Sequence, residues 1–550
     1  MKKLLSMLAI MLVAVLVFAA CGGNDNEVGV DPTPTPVETP EPVETPELPN
    51  EPTDGPGEDE IVTVFPPIPP SSRPDMTVLF AAMPPSLDPQ GSNDSQTALV
   101  SNMIFSTLIH QDPTDLSVHP SLATSWEFID AQTVQFTIRQ GVTFHNGDPL
   151  TAYDVAFSLD RAGDSPHAEA IASMFDGTTV VDRYTVILHL EGPFAPVLTH
   201  LAHPAAGIVP RDHILAVGDD AFAEHPIGTG AFRFVEEILG DRVELERNDN
   251  YWGRLPALER LTFRLVPDQP GRLLAVETGE AQYAINLAPA DIPMAQSSAN
   301  VELILRPNLG VAYIGFNTSR EPFNDIRVRQ AINYAFDSEA AANLVWVNGS
   351  ANPARGPLPS TVWGFHDTGG YPLNLDRARE LMAEAGLEDG FDTTIWWNIP
   401  NAQRSQVAEM VQFALREINI NVEVIGMEWS EYLTATENAE HDMFILGWTT
   451  VTGDPDYGLF PLFHSSSFGA VGNRTFFASD HLDALLEAGR SETDPAARLP
   501  IYREAMEYIH AAAPWVFLIE NFIIDAADPG IRNFTPNPAL HHNFATIYFD

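Results

Sequence analysis

Strand-like and helix-like segments alternate along residues 74–550, which restricts the folded part of the chain to a mixed α/β architecture of sheets covered by helices. Thr77–Ala82 reads as a strand and Gln96–Ile109 as an amphipathic helix. Thr133–Arg139 alternates its side chains as a strand does, with turns marked by Gly141 and Asn146-Gly147. Thr151–Arg161 is predicted to be a helix, Thr151 being its N-cap and Asp154 closing a capping box. Asp182–Leu190 is another strand. The later half repeats the style, with helices over Ile326–Phe336, Leu375–Ala385 (stopped by Gly386), Gln403–Ile418 and Asp480–Gly489. Its strands cover Thr393–Asn398, Asn421–Ile425 and Asp442–Trp448. A segment of this length exceeds what one core supports, so at least two lobes are expected.

The N-terminal residues address the compartment. Lys2 and Lys3 precede an apolar run, Leu4–Val17, too short for a comfortable membrane span and of signal-peptide form. The run ends at Phe18-Ala19-Ala20-Cys21, and Cys21 is the only cysteine of 550 residues, so no disulfide forms within the chain. A lone cysteine here resembles the bacterial lipobox, whose thiol is acylated after the preceding residues are removed; Phe18 stands where Leu is usual. Residues 21–73 are rich in Pro, Glu and Thr and too poor in large apolar residues to build a core. They read as an extended tether with a reach on the order of 150 Å at ~3.1 Å per residue. The expected arrangement is a lipid-anchored domain on the outer face of the cytoplasmic membrane, at a cell surface or in a periplasm.

Charge narrows the partners. The formal net charge is −47, and Lys2 and Lys3 are the only lysines, so arginine supplies every other cation. Such acidity argues against nucleic acid and against direct binding to anionic lipid. No P-loop is present, so any coupled ATP hydrolysis belongs to other subunits.

Seven stretches, in order, resemble one family. They are Ser86–Gln90 (SLDPQ), Pro120–Phe128 (PSLATSWEF), Phe136–Arg161, Pro226–Phe234 (PIGTGAFRF), Leu245–Gly253 (LERNDNYWG), Gly315–Asp337 and Gly447–Phe463. Most of these residues read as fold: a turn before a capped helix, a Gly-Thr-Gly giving backbone freedom before a strand, and a helix started by Arg327 and Arg329. Together they are similar to the family 5 extracellular solute-binding proteins, over about Thr77–Phe534. The resemblance implies a two-lobed periplasmic-binding-protein clamshell with an extra subdomain in the first lobe. Lobe I would comprise 74–118, 228–310 and 526–550, the extra subdomain 119–227, and lobe II 311–525. It implies no chemistry and no cofactor. It implies instead capture of a short peptide or glutathione-like ligand by lobe closure, and delivery to an ABC permease coupled to ATPase subunits. The protein is expected to act as a monomer.

A peptide in such a cleft needs a carboxylate for its amine and a cation, best an arginine fork, for its carboxylate. In typical family members the third residue after a Gly-Trp pair is an aspartate that pairs with the peptide amine. Here Gly447-Trp448-Thr449-Thr450-Val451 has valine there, in a pattern closer to the glutathione-binding branch. Asp454 or Asp456 would replace that aspartate, or the two form only a turn. Trp448, with Thr449 beside it, is either a flat cleft wall or a core residue at a strand end. Asn93, Asp94 and Ser95 follow SLDPQ at the offset where the family contacts ligand backbone, or are simply solvated. Arg404, at a helix start, is the candidate for the ligand carboxylate, or a surface cation. Rival readings are a nickel or other small-solute receptor, a signalling receptor or adhesin on the same scaffold, and a secreted hydrolase. The last is disfavoured because the chain lacks His-Glu-x-x-His, Gly-x-Ser-x-Gly and a cysteine nucleophile.

Overall fold

Two strands too long for a single lobe organise the molecule: β10 (Glu302–Phe316) and β15 (Trp515–Ala527). The computed structural model describes residues 67–550 apart from Asn93 and Pro400. The expected signal segment, Cys21 and the expected tether up to residue 66 therefore lie outside the described residues. Among the described residues no helix is long and apolar enough to cross a membrane.

In chain order the principal strands are β1 (Asp75–Phe80), β2 (Ala123–Asp130), β3 (Thr133–Ile138), β4 (Phe175–Asp182), β5 (Thr185–Leu190), β6 (Phe232–Ile238) and β7 (Arg242–Arg247). They continue with β8 (Arg260–Leu265), β9 (Tyr283–Ala284), β10, β11 (Ala351–Pro353), β12 (Phe391–Ile399), β13 (Ile420–Glu428), β14 (Met443–Thr449) and β15. One large sheet runs β13-β12-β14-β10-β15-β9-β1-β8-β7-β6, with β11 added to β15. Residues 302–307 of β10 pair with 522–527 of β15 beside the first-lobe strands, whereas 311–315 pair with 515–520 and with β14 in the second lobe. The ladder shifts register between Pro307 and Val311, where proline has no N–H to contribute. The chain is thus a two-lobed clamshell whose lobes share two continuous strands. Most of β15 is buried on both faces, which is why its sequence is apolar without alternation.

A separate antiparallel sheet, β2-β3-β5-β4, has the alternation of a one-face core. Val134, Phe136, Ile138, Val186 and Leu188 are buried and their sequence neighbours are not. Helix α1 (Ser95–Ile104) belongs to the first lobe, and helix α2 (Ala152–Asp164) packs on the small sheet. The Asp154 carboxylate accepts the Thr151 N–H at 2.9 Å, as expected of the reciprocal half of a capping box. Arg161 near the end of α2 forks onto the buried Asp88 of SLDPQ, so two of the sequence motifs form one buried ion pair.

Several expectations are corrected. The helix expected over 96–109 stops at Ile104 because Phe105 is extended, and Ile109–Gln111 forms a hairpin strand against Val118–Pro120. The strand expected over 182–190 is the second half of a β4–β5 hairpin that turns at Asp182–Tyr184. Gly228 and Gly230 are glycines for space, since a Cβ on either would stand within 2.1–2.4 Å of the Ile104 or Met103 carbonyl oxygen. Arg329 does not open its helix to solvent; it is buried and donates to the Ala512 and Phe323 carbonyls. The second lobe contains α3 (Ile326–Ala335), α4 (Leu375–Glu384), α5 (Ala402–Leu415), α6 (Pro455–Phe463), α7 (Asp480–Ser491) and α8 (Pro495–Ala512).

Candidate functional site

Where β10 and β15 cross between the lobes, a cavity of about 300 Å³ opens. Gln269, Asn286 and Leu540 line it from one side, Asn308, Asn521 and Phe522 from the crossing strands, and Trp346, Asn401, Gln403, Arg404 and Thr449 from the second lobe. Six of these eleven side chains are primary amides, and among the described residues no Asp or Glu lines the cavity. The narrowing of the strands is set by Gly310, where a Cβ would stand 2.8 Å from Asn521 Nδ2 and 3.0 Å from Asn308 Oδ1. Asn308 Oδ1 also accepts the Gly310 N–H at 2.7 Å and holds the shifted register.

Arg404 is the cation of this cavity. Asn401 caps α5 by accepting the Arg404 N–H at 2.9 Å, and helical side chains lean back toward the N-terminus, which carries the guanidinium to the cavity. Nη1 donates to Asn398 Oδ1 at 2.5 Å. Burial pushes the Arg404 pKa down from its ordinary value. Among the described residues no carboxylate lies at ion-pair distance from it; its neighbours are the Tyr313 and Tyr432 hydroxyls and the Gly447 backbone. A desolvated guanidinium without a counter-ion is costly unless an anion arrives.

The segment after β14 divides the space. Gly447 and Thr449 face this cavity, whereas Val451 faces a second one of about 280 Å³ lined by His110, His203, His541 and Arg254. The three histidines are neutral donors and acceptors there: burial lowers the pKa of His110, pushes His203 well below its usual range and brings His541 down to about 4. The Arg254 Nε is buried with no hydrogen-bond partner among the described residues. Trp448 packs between two hydrophobic clusters, meets the Tyr457 ring in a tilted arrangement at 5.4 Å and donates its Nε1–H to the Tyr457 carbonyl at 2.9 Å.

A family profile described as "Bacterial extracellular solute-binding proteins, family 5 Middle" matches residues 117–470. The chain belongs to this family. Family 5 solute-binding proteins are transport receptors that act outside the cytoplasm. The chain is 31% identical over 470 residues to the glutathione-binding protein GsiB of Pectobacterium atrosepticum, covering 84% of this chain and 91% of that one. It is 28% identical to the dipeptide-binding protein of Escherichia coli, over 84% of this chain and 92% of that protein. The solved structure of DppA, an ABC transporter-associated periplasmic binding protein from Helicobacter pylori, in complex with the peptide STSA, superposes with a TM-score of 0.78 at 27% identity, covering 86% of this chain and 98% of that one.

In this family 5 chain the sequence-derived candidates separate. Arg404 and Thr449 meet in the interlobe cavity, and Val451 lies at the adjoining one. Trp448 is a core wall between them. Asp454 and Asp456 are corrected as amine anchors. Asp454 accepts both Nη atoms of Arg498 at 2.7 Å and caps α6 through the Asp456 N–H at 2.9 Å. Asp456 is 1% exposed and takes Arg490 Nε and Nη2 at 2.9 and 3.0 Å. Both carboxylates are neutralised within the fold, and the expected turn is a helix start. Asp94 caps α1 by accepting the Gln96 N–H at 2.7 Å, and Ser95 lines a small void that shares Asn286 and Leu540 with the main cavity. Asn93 and Cys21 lie outside the described residues. Sequence reasoning missed the amides at 269, 286, 308, 401, 403 and 521, since isolated Asn and Gln carry no spacing signal.

Proposed function

We propose that the protein is the ligand-capturing lipoprotein of an ABC importer, taking short peptides or glutathione-like peptide acids and passing them to a membrane permease. Cys21 provides the anchor and residues 22–70 the tether at the outer face of the membrane, the expected tether being cut short at its end because Ser71, Ser72 and Arg73 are bonded to Phe549 and Asp528 of the folded domain, and the protein works as a monomer. Lobe I is assigned to 74–118, 228–310 and 526–550, the extra subdomain to 119–227 and lobe II to 311–525. The observation that carries the reading is the half-buried Arg404 guanidinium, with no ion-pair partner among the described residues, in an amide-lined cavity between lobes. A peptide carboxylate supplies its missing counter-ion in a forked pair, and the amides serve the peptide groups. Ligand that touches both lobes stabilises the closed arrangement alone, which is how binding becomes a signal to the permease. Relatives named for glutathione and dipeptides favour the same ligand class.

The test is calorimetric titration of the full-length chain, stripped of bound ligand by partial unfolding, with glutathione, mixed di- and tripeptides, and nickel ion. Micromolar or tighter binding of at least one peptide acid is expected. A folded protein that responds to nickel alone, or to nothing in the panel, contradicts the proposal.

A further inference from the structure

We infer that the second cavity is the subsite for the ligand's amino-terminal residue, Asp112 taking its ammonium and Arg254 a carboxylate carried by that same residue; the inference rests on the peptide-acid reading above. The ligand class this selects is a short peptide with an acid at both ends. Its first residue is either a glutamate linked through its side chain or an ordinary amino-terminal glutamate or aspartate. Among the described residues lining this cavity, Asp112 and Arg254 are the only side chains charged at neutral pH, since burial keeps His110, His203 and His541 neutral.

Arg254 follows a turn braced by Asn248 Nδ2, which donates to the Gly230 carbonyl at 3.0 Å, and by Trp252 Nε1, which donates to the Thr229 carbonyl at 3.1 Å. Its guanidinium has no hydrogen bond or ion pair among the described residues, and its Nε is shut off from water. In a chain where 75 Asp and Glu face 28 Lys and Arg, an arginine without a carboxylate is held away from one by the fold. Asp112 sits in the turn of the hairpin between 109–111 and 118–120, where Oδ1 accepts the Thr114 N–H at 2.7 Å and Oδ2 accepts nothing among the described residues. Gln111 Nε2 ties this hairpin to the second lobe by donating to the Thr452 carbonyl at 2.9 Å. The acid and the base thus line one cavity without pairing with each other. Together they are the complement of an ammonium and a carboxylate on one residue. An amino-terminal residue without an acid satisfies Asp112 and leaves Arg254 unpaired, its Nε already desolvated.

The second cavity meets the Arg404 cavity along one wall. Thr449 lines one and Val451 the other, and Leu540 of the first stands between Ala539 and His541 of the second. An extended tripeptide reaches about 10 Å at ~3.3–3.6 Å per residue, enough to lie across that wall with its far carboxylate toward Arg404.

The experiment is calorimetric titration of the full-length, ligand-stripped chain with γ-glutamyl-Ala-Gly, Glu-Ala-Gly and their neutral counterpart Gln-Ala-Gly. At least one of the two acidic peptides is expected to bind at least 10-fold more tightly than Gln-Ala-Gly, and which one does so separates the side-chain linkage from the ordinary one. Arg254→Gln is expected to erase that preference, and Asp112→Asn to weaken binding of the preferred peptide at least 10-fold, each in a protein of unchanged melting temperature. A preference below 10-fold in the unaltered chain, or one that survives Arg254→Gln, would overturn this inference and leave the peptide-receptor reading standing. Binding of none of the three would overturn both.

Discussion

In the proposed function Arg404 is the residue on which ligand binding depends most. Replacing it with Ala removes a guanidinium that has no ion-pair partner among the described residues, so the fold loses little while the ligand loses its counter-ion. Arg404→Ala is expected to weaken binding of a peptide acid at least 100-fold in calorimetry, with a melting temperature within a few degrees of the parent, and Arg404→Lys to recover only part because a point charge cannot fork. The residue was legible in sequence as an arginine at the start of the helix expected over 403–418; the Asn401 cap that fixes its place was not. The fate of Asp454 and Asp456 was not, because their arginines lie 44 and 34 residues further on and nothing local marks the pairing. Likewise Trp448 was legible as an aromatic at a strand end, but its partner, the Tyr457 carbonyl, becomes available only once α6 begins at Pro455.

At the scale of elements, the α6–α8 corner is held by Asp454 and Arg498. The pair is buried, and against the cost of burial the forked bonds from Asp454 raise the Arg498 pKa above its ordinary value. Removing one partner leaves a buried uncompensated charge, a loss of about 3–5 kcal/mol. Arg498→Ala is expected to lower urea-denaturation stability by that amount, and replacement of both residues by apolar ones of similar volume to cost less. The one-face strands β3 and β5 were legible because alternation survives when one side meets solvent or a helix. The long strands β10 and β15 were not, since most of β15 and the second half of β10 are buried on both faces and their alternation disappears. Element boundaries moved where a turn competed with continuation, as at Phe105 and Asp182.

For the whole molecule, buried histidines make stability depend on acid. His145 and His541 are brought down to about 4 and His441 to about 3, in each case chiefly by burial. In the unfolded chain they protonate near pH 6.5, so between about pH 6.5 and 4 the unfolded state binds more protons and stability falls as pH falls. Calorimetric melting should show this decline, and His541→Gln should flatten it. The two-lobed plan was legible from length, alternation and the ordered motifs. The composition of the cleft was not, because residues from 269 to 540 meet there only after the sheet has formed. The central claim is that an acid bound at Arg404 closes the lobes. It is tested most directly by spin labels at the exposed positions Leu274 and Phe413, one on each lobe, each replaced by Cys in a Cys21→Ala chain, with the distance read by pulsed electron resonance. A saturating peptide acid is predicted to shorten and narrow the distance distribution, and a distribution unchanged by a ligand shown to bind would contradict it.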